Sequence, residues 1–391
     1  MRSFAYVLVP AACSVLVSTV LSAAGAQEQP SADLRGSYAP LHHDAGLAIE
    51  PADSPESGEL TATVRFTYAF RPVVLRDENE EIAYRVVEHQ FTGDVGLAVG
   101  LFGRLTIGLD LPVLMGQTGD DLSQAEDAAR LLGDQPIPVT AIGDPGVRLK
   151  GTFLKPAKVD GQPRGPALGL DERLTIPLGD ERSFIGEGNV SSETRVLFDY
   201  FAGPVSAHAA AGVKLRADTG AFACDPDARE DDCGSRFGHE IPFVAGLALH
   251  PYALGIDPEA RGTLFVETRG RVPVSPVTPD VSTQPLSWYA SVAGRYRLGD
   301  VALLAAVEVG LWEGVGNSPF RATVGVSFAP RASDADKDGF SDDDDKCPRF
   351  AEDRDGVEDD DGCPEMDNDR DGVPDGLDEC PNLPGKDGAA C

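Results

Sequence analysis

Positive charge and long apolar runs are both scarce in this chain. Its 391 residues carry 33 lysines and arginines against 64 aspartates and glutamates, a net charge of −31. A chain this acidic is a poor partner for nucleic acid, and we exclude that class of function. Beyond the N-terminal region no run of about 18 apolar residues occurs, which excludes a membrane-spanning helix but not a membrane-spanning strand.

A recognisable nucleophile with its base is also missing. The motif Gly-x-Ser-x-Gly does not occur, and no serine or cysteine motif stands beside the histidines of the chain's predicted strands. We therefore expect no enzyme and no catalytic residue. The histidines concerned are His89, His208, His239 and His250.

Residues 1–26 have the pattern of a secretory signal peptide. Arg2 precedes an apolar run from residue 4 to residue 20, and small residues at 24–26 predict cleavage before Gln27. A lipoprotein signal ending at Cys13 fits less well, because Pro10 interrupts its motif and the apolar run continues past it.

Residues 27–57 show no period and are rich in proline, serine, alanine and acidic residues, which predicts a flexible leader. Within it, His42 and His43 form a pair that is able to bind a transition metal. A pair of this kind in a loop is more often simply solvated.

From residue 58 to residue 329, apolar and polar residues alternate with a period of two, which is typical of β-strands. The arms of the hairpin over 91–115 have about ten residues each, the length that a tilted strand needs to cross a bilayer. Twelve such segments begin near residues 60, 91, 105, 146, 167, 193, 205, 241, 263, 286, 301 and 320.

The strands of a soluble β-sandwich also alternate apolar and polar residues, so this pattern alone does not identify a membrane barrel. The lengths of the links between strands distinguish the two folds. Tight links alternate with long polar links for most of the chain, as they do in outer-membrane barrels with short periplasmic turns and long outer loops. The expected fold is therefore all-β, an antiparallel transmembrane β-barrel of about 12 strands with both ends in the periplasm. The tight links are 102–104, 202–204 and 299–300, and the long ones are 71–84, 116–144, 179–190 and 218–239.

The inward face predicted for these strands is basic, with twelve lysines and arginines against seven acidic residues, a net charge of +5. Two interpretations stay open: salt bridges across the lumen that plug a narrow barrel, or a narrow conduit that favours anions. The basic positions are Arg65, Arg148, Lys150, Arg173, Arg195, Lys214, Arg216, Arg269, Arg271, Arg295, Arg297 and Arg321; the acidic ones are Asp94, Asp110, Asp171, Glu193, Asp199, Glu267 and Glu308.

Carboxylates recur at a fixed spacing in residues 334–391, where 22 acidic residues stand against 6 basic ones. In two blocks they occupy positions 1, 3, 5, 9 and 12, with glycine at position 6 and a backbone carbonyl expected from position 7, which is the spacing of a calcium loop. The predicted ligands are Asp334, Asp336, Asp338, Phe340, Asp342 and Asp345 in the first block, and Asp367, Asp369, Asp371, Val373, Asp375 and Asp378 in the third.

The middle block is a variant of the same loop. It has Ala351 at position 1 and an acidic residue one place before position 12. Charge runs are usually disordered, but a disordered tail would not repeat glycine, cysteine and proline in phase. Because the tail has almost no apolar residues for a core, we expect its folding to be coupled to Ca²⁺. The predicted ligands here are Asp353, Asp355, Val357, Asp359 and Asp361.

Six cysteines follow the signal peptide, an even number that suits an oxidising compartment. Cys224 and Cys233 are expected to form a disulfide within one long outer loop. The other four, Cys347, Cys363, Cys380 and Cys391, allow three connectivities by spacing alone.

The alternation of a longer and a shorter acidic motif, each ending in Cys-Pro, resembles thrombospondin type 3 repeats. This resemblance implies pairing of Cys347 with Cys363 and of Cys380 with Cys391. The order of barrel, acidic repeats and a Gly-Asp-rich loop at 177–188 resembles large outer-membrane proteins related to the outer-membrane protein A family. In those proteins the repeats lead to a peptidoglycan-binding domain, and none follows here before Cys391, so wall anchoring by that route is not expected.

Together these patterns predict an outer-membrane protein of a Gram-negative bacterium, structural or narrowly porin-like, whose calcium-stabilised tail lies in the periplasm. The expected partners are outer-membrane lipid, calcium, and the cell wall or another envelope protein. The alternative is a calcium-dependent adhesion protein that presents its repeats to a partner.

Overall fold

The computed structural model describes residues 33–76, 81–122, 137–159, 162–217, 220–222, 235–257, 261–275, 287–312, 316–330, 336, 345–353, 355–359, 361–378 and 380–383. The chain forms two compact units, one of Met1–Ala157 with Pro163–Ala329 and one of Lys158–Gln162 with Pro330–Cys391. The predicted signal peptide and the predicted Cys224–Cys233 disulfide lie outside the described residues.

Twelve long strands form the first unit: β1 (Leu60–Arg76), β2 (Ile82–Leu101), β3 (Leu105–Thr118), β4 (Gly146–Leu154), β5 (Gln162–Thr175), β6 (Ser191–Phe201), β7 (Val205–Arg216), β8 (His239–Leu249), β9 (Gly262–Ser275), β10 (Ser287–Leu298), β11 (Val301–Gly310) and β12 (Phe320–Phe328). Short strands lie at Ala141–Ile142, Ala157–Val159, Gly220–Phe222 and Ser235–Phe237, and 3-10 turns at Glu181–Ser183, Pro251–Leu254 and Asp375–Leu377.

The sheet closes on itself. Each long strand pairs antiparallel with the next, and β12 returns to pair with β1 from Ala62↔Phe328 to Phe70↔Phe320. A closed sheet leaves no strand edge with unpaired backbone groups, which is the condition for crossing a bilayer with strands. The prediction of an all-β antiparallel barrel of about 12 strands is confirmed.

The outer surface of the barrel is an apolar belt. On β1 Val64 and Phe66 are 36% and 46% exposed, while Thr63 and Arg65, which alternate with them, point inward and are buried. Soluble proteins rarely expose contiguous apolar surface of this extent, so the belt indicates strands that cross a membrane. In the described part of the chain, no helix is long and apolar enough to do so. Other belt residues are Leu97, Leu109, Val196, Val213, Leu247, Val266, Val292 and Val324.

The two ends of the barrel differ in their connections. Leu60 and Phe328 lie at the same end, where the links 102–104, 202–204 and 299–300 are tight as predicted; we call this the short-turn end. The opposite, long-loop end carries the links 119–145, 176–190 and 217–238.

The prediction of a long link at 71–84 is wrong. There β1 and β2 continue as a hairpin with register shifts up to Arg76↔Ile82, because Val73, Val86 and Val87 are buried with Phe184 in a small apolar cluster.

Residues 33–57 differ from the flexible leader expected at 27–57. They lie inside the barrel, where Tyr38, Leu41, Leu47, Ile49 and Ala52 are all buried. We call residues 33–57 the plug. The barrel strands, which we call the wall, surround this segment and contact it on all sides. Its apolar residues therefore need not recur with the period of a helix or a strand. The lack of a period in residues 33–57 is thus no sign of flexibility.

Glycines on the inward face of the wall make room for the plug. A Cβ atom added at Gly96 would lie 2.5 Å from the Cβ of Ala39, and one at Gly108 would lie 2.2 Å from Cδ2 of Leu41. The plug therefore packs against the wall so closely that these wall positions have no room for a side chain larger than that of glycine. The same holds for Gly100 against Glu56 O at 2.2 Å, Gly169 against Ala52 O at 2.5 Å and Gly246 against Ile49 Cδ1 at 2.8 Å.

Gly96→Val is expected to displace the plug without unfolding the barrel. The added Cβ atom alone would lie 2.5 Å from the Cβ of Ala39, whereas the nearest wall atom, the carbonyl oxygen of Leu109, is 3.8 Å away. Overpacking of this kind costs about 1–3 kcal/mol. We expect faster protease cleavage within residues 33–57 of the purified protein, with unchanged heat-modifiable migration on gels. Gly151→Val on β4 is the matched control, since nothing lies within 4 Å of its Cβ position. Equal cleavage of both variants would contradict the fit.

Candidate functional site

Most of the inward basic side chains are paired with carboxylates of the barrel strands. Arg173 donates to both oxygens of Asp110, at 3.0 Å from Nε and 2.7 Å from Nη2. Arg148 and Arg195 share the carboxylate of Asp171. Buried pairs of this kind are costly to break, because removing one partner leaves the other charge uncompensated. Further pairs are Arg269–Glu308 at 2.8 Å, Arg271–Glu193 at 3.6 Å and Arg216–Glu240 at 3.1 Å.

The plug supplies the negative charge that the wall lacks. Glu50 lies 2.9 Å from the Nζ of Lys150. Arg35 binds Asp33 within the plug and reaches Asp94 on β2 at 2.5 Å. Residues 33–57 contain five carboxylates and one arginine, a net charge of −4. Sequence reasoning missed Glu240, which faces inward; counting it, the strands carry twelve basic and eight acidic inward residues, a net charge of +4. It also missed Glu187, a buried residue of the link after β5 that pairs with Lys214 and Arg216. The remaining positive charge faces the acidic plug.

Wall side chains also satisfy the backbone of the plug. Arg65 donates to the carbonyls of Leu47 and Gly46 at 2.8 and 2.7 Å. In the other direction, the carboxylate of Glu267 accepts from the amides of Leu47 and Ala48 at 3.0 and 2.8 Å. Irregular backbone at membrane depth requires partners for its polar groups, and these contacts provide them. Similar bonds join Arg148 to Ala39 O, Arg321 to Leu34 O and Asp199 to the Ala52 amide.

Tyr38 lies at the centre of the plug. The Cζ atom of Arg173 is 3.9 Å from the centroid of its ring, a cation–π contact. Its hydroxyl accepts a hydrogen bond from Arg271 at 2.6 Å and donates one to Glu193 at 3.2 Å. A cavity beside it has a volume of about 40 Å³, room for a few water molecules but not for a solute. Of the two interpretations open from the sequence, the described residues match the salt-bridged, plugged lumen.

One group of lumen residues has the connectivity of a Ser-His-Asp triad. Oγ of Ser206 lies 2.7 Å from Nε2 of His208, and Nδ1 of His208 lies 2.7 Å from Oδ1 of Asp199. Ser206 is 1% exposed, and its oxygen also contacts Nε2 of His250 at 2.9 Å. The other oxygen of Asp199 accepts from the Ala52 amide, so the group forms a hydrogen-bond chain between the wall and the plug.

Sequence reasoning missed this group. Ser206 precedes His208 by two residues, and two residues along a strand is the spacing that puts side chains on one face. The signal was therefore present, although it forms no known motif. Asp199 comes from the neighbouring strand β6, paired with His208 across the sheet.

The third acidic block has the geometry of a cation-binding loop. Gly372 at position 6 has φ of +94°, a left-handed conformation that glycine adopts without strain. Its amide donates to Oδ2 of Asp367 at 2.9 Å, and the amide of Asp371 donates to Oδ1 of Asp369 at 3.1 Å. The remaining oxygens, Oδ1 of Asp367 and Oδ2 of Asp369, have no hydrogen-bond donor.

These carboxylates crowd together. Asp367, Asp369 and Asp371 each offer an oxygen, and the three atoms lie within 4.8 Å of one another. Partial desolvation and the negative charges of Asp371, Asp378 and Asp367 raise the pKa of Asp369. Hard oxygen ligands around a common centre fit a calcium ion. Position 12, Asp378, binds the amide of Cys380 through Oδ1 at 2.9 Å, and its Oδ2 has no donor.

The middle block brings together residues that the spacing did not single out. Gly356 has φ of +98°, as position 6 requires. Asp353 meets Glu352 and Glu365, with one oxygen from each within 4.8 Å of the others. Glu365 follows the block by sequence, and only the folded chain places it there. Asp355, Asp359 and Asp361 instead bind backbone amides of Val357, Gly356 and Cys363 at 3.0, 3.0 and 3.1 Å.

The disulfide between Cys347 and Cys363 is present, with Cα atoms 5.1 Å apart, as the repeat resemblance implied. Cys380 is also disulfide-bonded, and its expected partner Cys391 lies outside the described residues. In the first block, Asp336 and Asp345 are described; Asp334, Asp338, Phe340 and Asp342 are not. Calcium binding by all three blocks stays a prediction.

No family model matches the chain, and no curated protein matches it. Solved structures with a similar fold include an outer membrane channel from Pseudomonas putida F1, with 13% identity, TM-score 0.48, and 71% of this chain and 97% of that chain covered. The NanC porin aligns with 9% identity, TM-score 0.42 and coverage of 68% and 98%. The toluene transporter TodX of P. putida aligns with 10% identity, TM-score 0.35 and coverage of 71% and 91%. Likeness this distant carries no conclusion about function.

Proposed function

We propose that this protein is a closed outer-membrane barrel of a Gram-negative bacterium that anchors a calcium-stabilised tail in the periplasm. The observation that carries the proposal is the plug, whose side chains and backbone occupy the lumen and bind its wall. A filled and charge-balanced lumen supports an anchoring role over that of an open pore. The apolar belt supports the membrane location, because only a lipid environment favours so many exposed apolar side chains.

The asymmetry of the links supports the proposed placement of the tail. Outer-membrane barrels have their short turns in the periplasm and their long loops outside. β12 ends at Phe328 at the short-turn end, which supports an exit of the chain on the periplasmic side. The periplasm is oxidising, which agrees with the Cys347–Cys363 disulfide. The carboxylate oxygens without donors in the third block support calcium as the ligand of the tail.

Access to the tail on intact cells tests this arrangement against the adhesion alternative. We expect an epitope placed after Cys391 to bind antibody only once the outer membrane is permeabilised. The same epitope placed between β7 and β8, in a long-loop link, is the matched control and is expected to bind on intact cells. Antibody binding to the tail on intact cells would overturn the proposal and favour a surface-presented adhesion protein.

A further inference from the structure

The turn of the plug near the short-turn end holds a histidine–aspartate group that an anchoring role does not use. His42, His43 and Asp44 each offer one ligand atom, and the three atoms lie within 4.8 Å of one another. The imidazole rings stack with centroids 4.4 Å apart. We propose that these three residues bind a divalent transition metal ion, for which zinc is the probe, and that the ion rigidifies this turn of the plug.

The wall holds this turn in place. The amide of Ala45 donates to the carbonyl of His42 at 3.2 Å, closing the turn. Arg295 on β10 donates from Nη1 to the carbonyl of His43 at 3.3 Å and from Nη2 to Thr263 on β9 at 3.0 Å. The three ligands thus sit on a short segment held by Arg295 of β10, which Thr263 of β9 holds in turn, and preorganised ligands lose little entropy when a metal binds.

The partners of each ligand are those of a metal centre. Nδ1 of His43 lies 2.8 Å from Oε1 of Glu59, close but not aligned as a hydrogen bond, and Nε2 lies 3.4 Å from Oδ2 of Asp44. Oδ1 of Asp44 is in turn 2.9 Å from Nη1 of Arg295. In metal sites an outer carboxylate commonly orients the histidine, and the ligating carboxylate is itself hydrogen-bonded.

The ligand types and the access also fit. Two imidazoles and one carboxylate are a common set for zinc, with the fourth position left to water. Nδ1 of His42 accepts the Asp44 amide at 3.0 Å, and a metal at that nitrogen would replace this bond. The Asp44 side chain is 47% exposed while that of His43 is 13% exposed. An ion therefore reaches the group from the solvent side without displacing the plug.

Zinc titration of the full chain tests the site. The protein is purified in detergent without a histidine tag and saturated with calcium, so that the acidic tail is already occupied, and zinc binding is followed by calorimetry. We expect one zinc ion per chain, with affinity lowered at least about 10-fold in His43→Ala and in Asp44→Asn, and about 10- to 100-fold in Glu59→Gln through loss of the outer partner. Because Asp44→Asn is nearly isosteric, it separates loss of a ligand from misfolding.

His89→Ala is the matched control, since His89 lies on β2 against Tyr68, away from the plug. It is expected to bind zinc as the wild type does. Bound zinc is also expected to slow protease cleavage within residues 33–57, and a chelator to reverse this. Zinc binding that persists unchanged in a His42→Ala/His43→Ala double variant, or that is absent from the calcium-saturated wild type, would overturn the proposal.

Discussion

Deletion of the plug, residues 33–57, is expected to turn a silent barrel into a conducting one. In planar bilayers the full chain should give no resolved steps, while the deleted protein should give discrete single-channel openings. The reason is that the plug occupies the lumen at Tyr38 and leaves beside it a cavity of only about 40 Å³. A barrel of twelve strands lies between the filled eight-stranded barrels and the open porins in width, so clearing it leaves a water-filled path.

The open path should favour anions. Deletion removes a net charge of −4 and leaves inward strand residues of net charge +4, which Glu187 beside Lys214 and Arg216 offsets only in part. Lys150 and Arg295 lose their plug partners Glu50 and Asp44, and Arg65 loses two carbonyl acceptors. Rings of unpaired basic side chains select anions. In a salt gradient the reversal potential is therefore expected to move towards that of chloride.

Two controls keep this prediction specific. Deletion of the tail, residues 334–391, should leave the barrel silent, and a synthetic peptide of residues 33–57 should close the openings of the plug-deleted protein. The freed arginines become hydrated rather than buried, so the closed sheet is expected to fold and to remain heat-modifiable. Equal conductance of the full and deleted proteins, or a folded but silent deleted protein, would show that the plug is not what closes the lumen.

The barrel was predictable because its pattern is local. A strand between lipid and lumen alternates whatever its neighbours do, and six of the twelve strands begin at the predicted residues, those at Leu60, Leu105, Gly146, Val205, Val301 and Phe320. The start of β2 was missed by nine residues, at Ile82 instead of 91, since its extension packs on Phe184 from a distant link.

The plug was not predictable from its own residues, yet the wall carried two signs of it. One is the surplus of inward basic side chains, because basic side chains buried in a closed lumen need acidic partners. The other is the set of inward glycines, Gly96 and Gly108 among them, which leave space that no wall side chain fills. Neither sign tells which segment enters, because that depends on contacts between residues far apart in the chain.

In the acidic loops, too, local features were predictable from the sequence and contacts between distant residues were not. Spacing alone predicted the left-handed glycines at 356 and 372, because the loop geometry is set within each block. It did not predict that Glu352 and Glu365 meet Asp353, since Glu365 lies twelve residues further along the chain and outside the block.

Calcium removal is expected to unfold the tail while the barrel stays folded. The tail has no apolar core among its described residues: Phe350, Met366, Leu377 and Leu383 are 63–81% exposed. From 334 to 391 the chain carries 22 acidic and 6 basic residues, so its carboxylates repel one another once the cation is gone. Each ion present at about 100 times its Kd contributes about 2.7 kcal/mol of stability, and nothing else in the described tail replaces it except the disulfides.

Limited proteolysis of the full chain, with and without a calcium chelator, measures this. We expect chelation to expose the tail to cleavage throughout 345–383, added calcium to restore protection, and the heat-modifiable migration of the barrel to be the same in both conditions. The double variant Asp369→Asn/Asp371→Asn should need a higher calcium concentration for protection, because each of these residues contributes one carboxylate oxygen to the cluster of the third block.

The matched control is Glu358→Gln. Glu358 is 53% exposed and pairs on the surface with Arg370 at 2.7 Å, outside the carboxylate groups, and surface pairs of this kind contribute at most about 1 kcal/mol. The tail of this variant should become protected from protease at the same calcium concentration as that of the wild type. If the tail were cleaved equally with and without chelator, its fold would have to come from the disulfides alone, and calcium would be ruled out as its core.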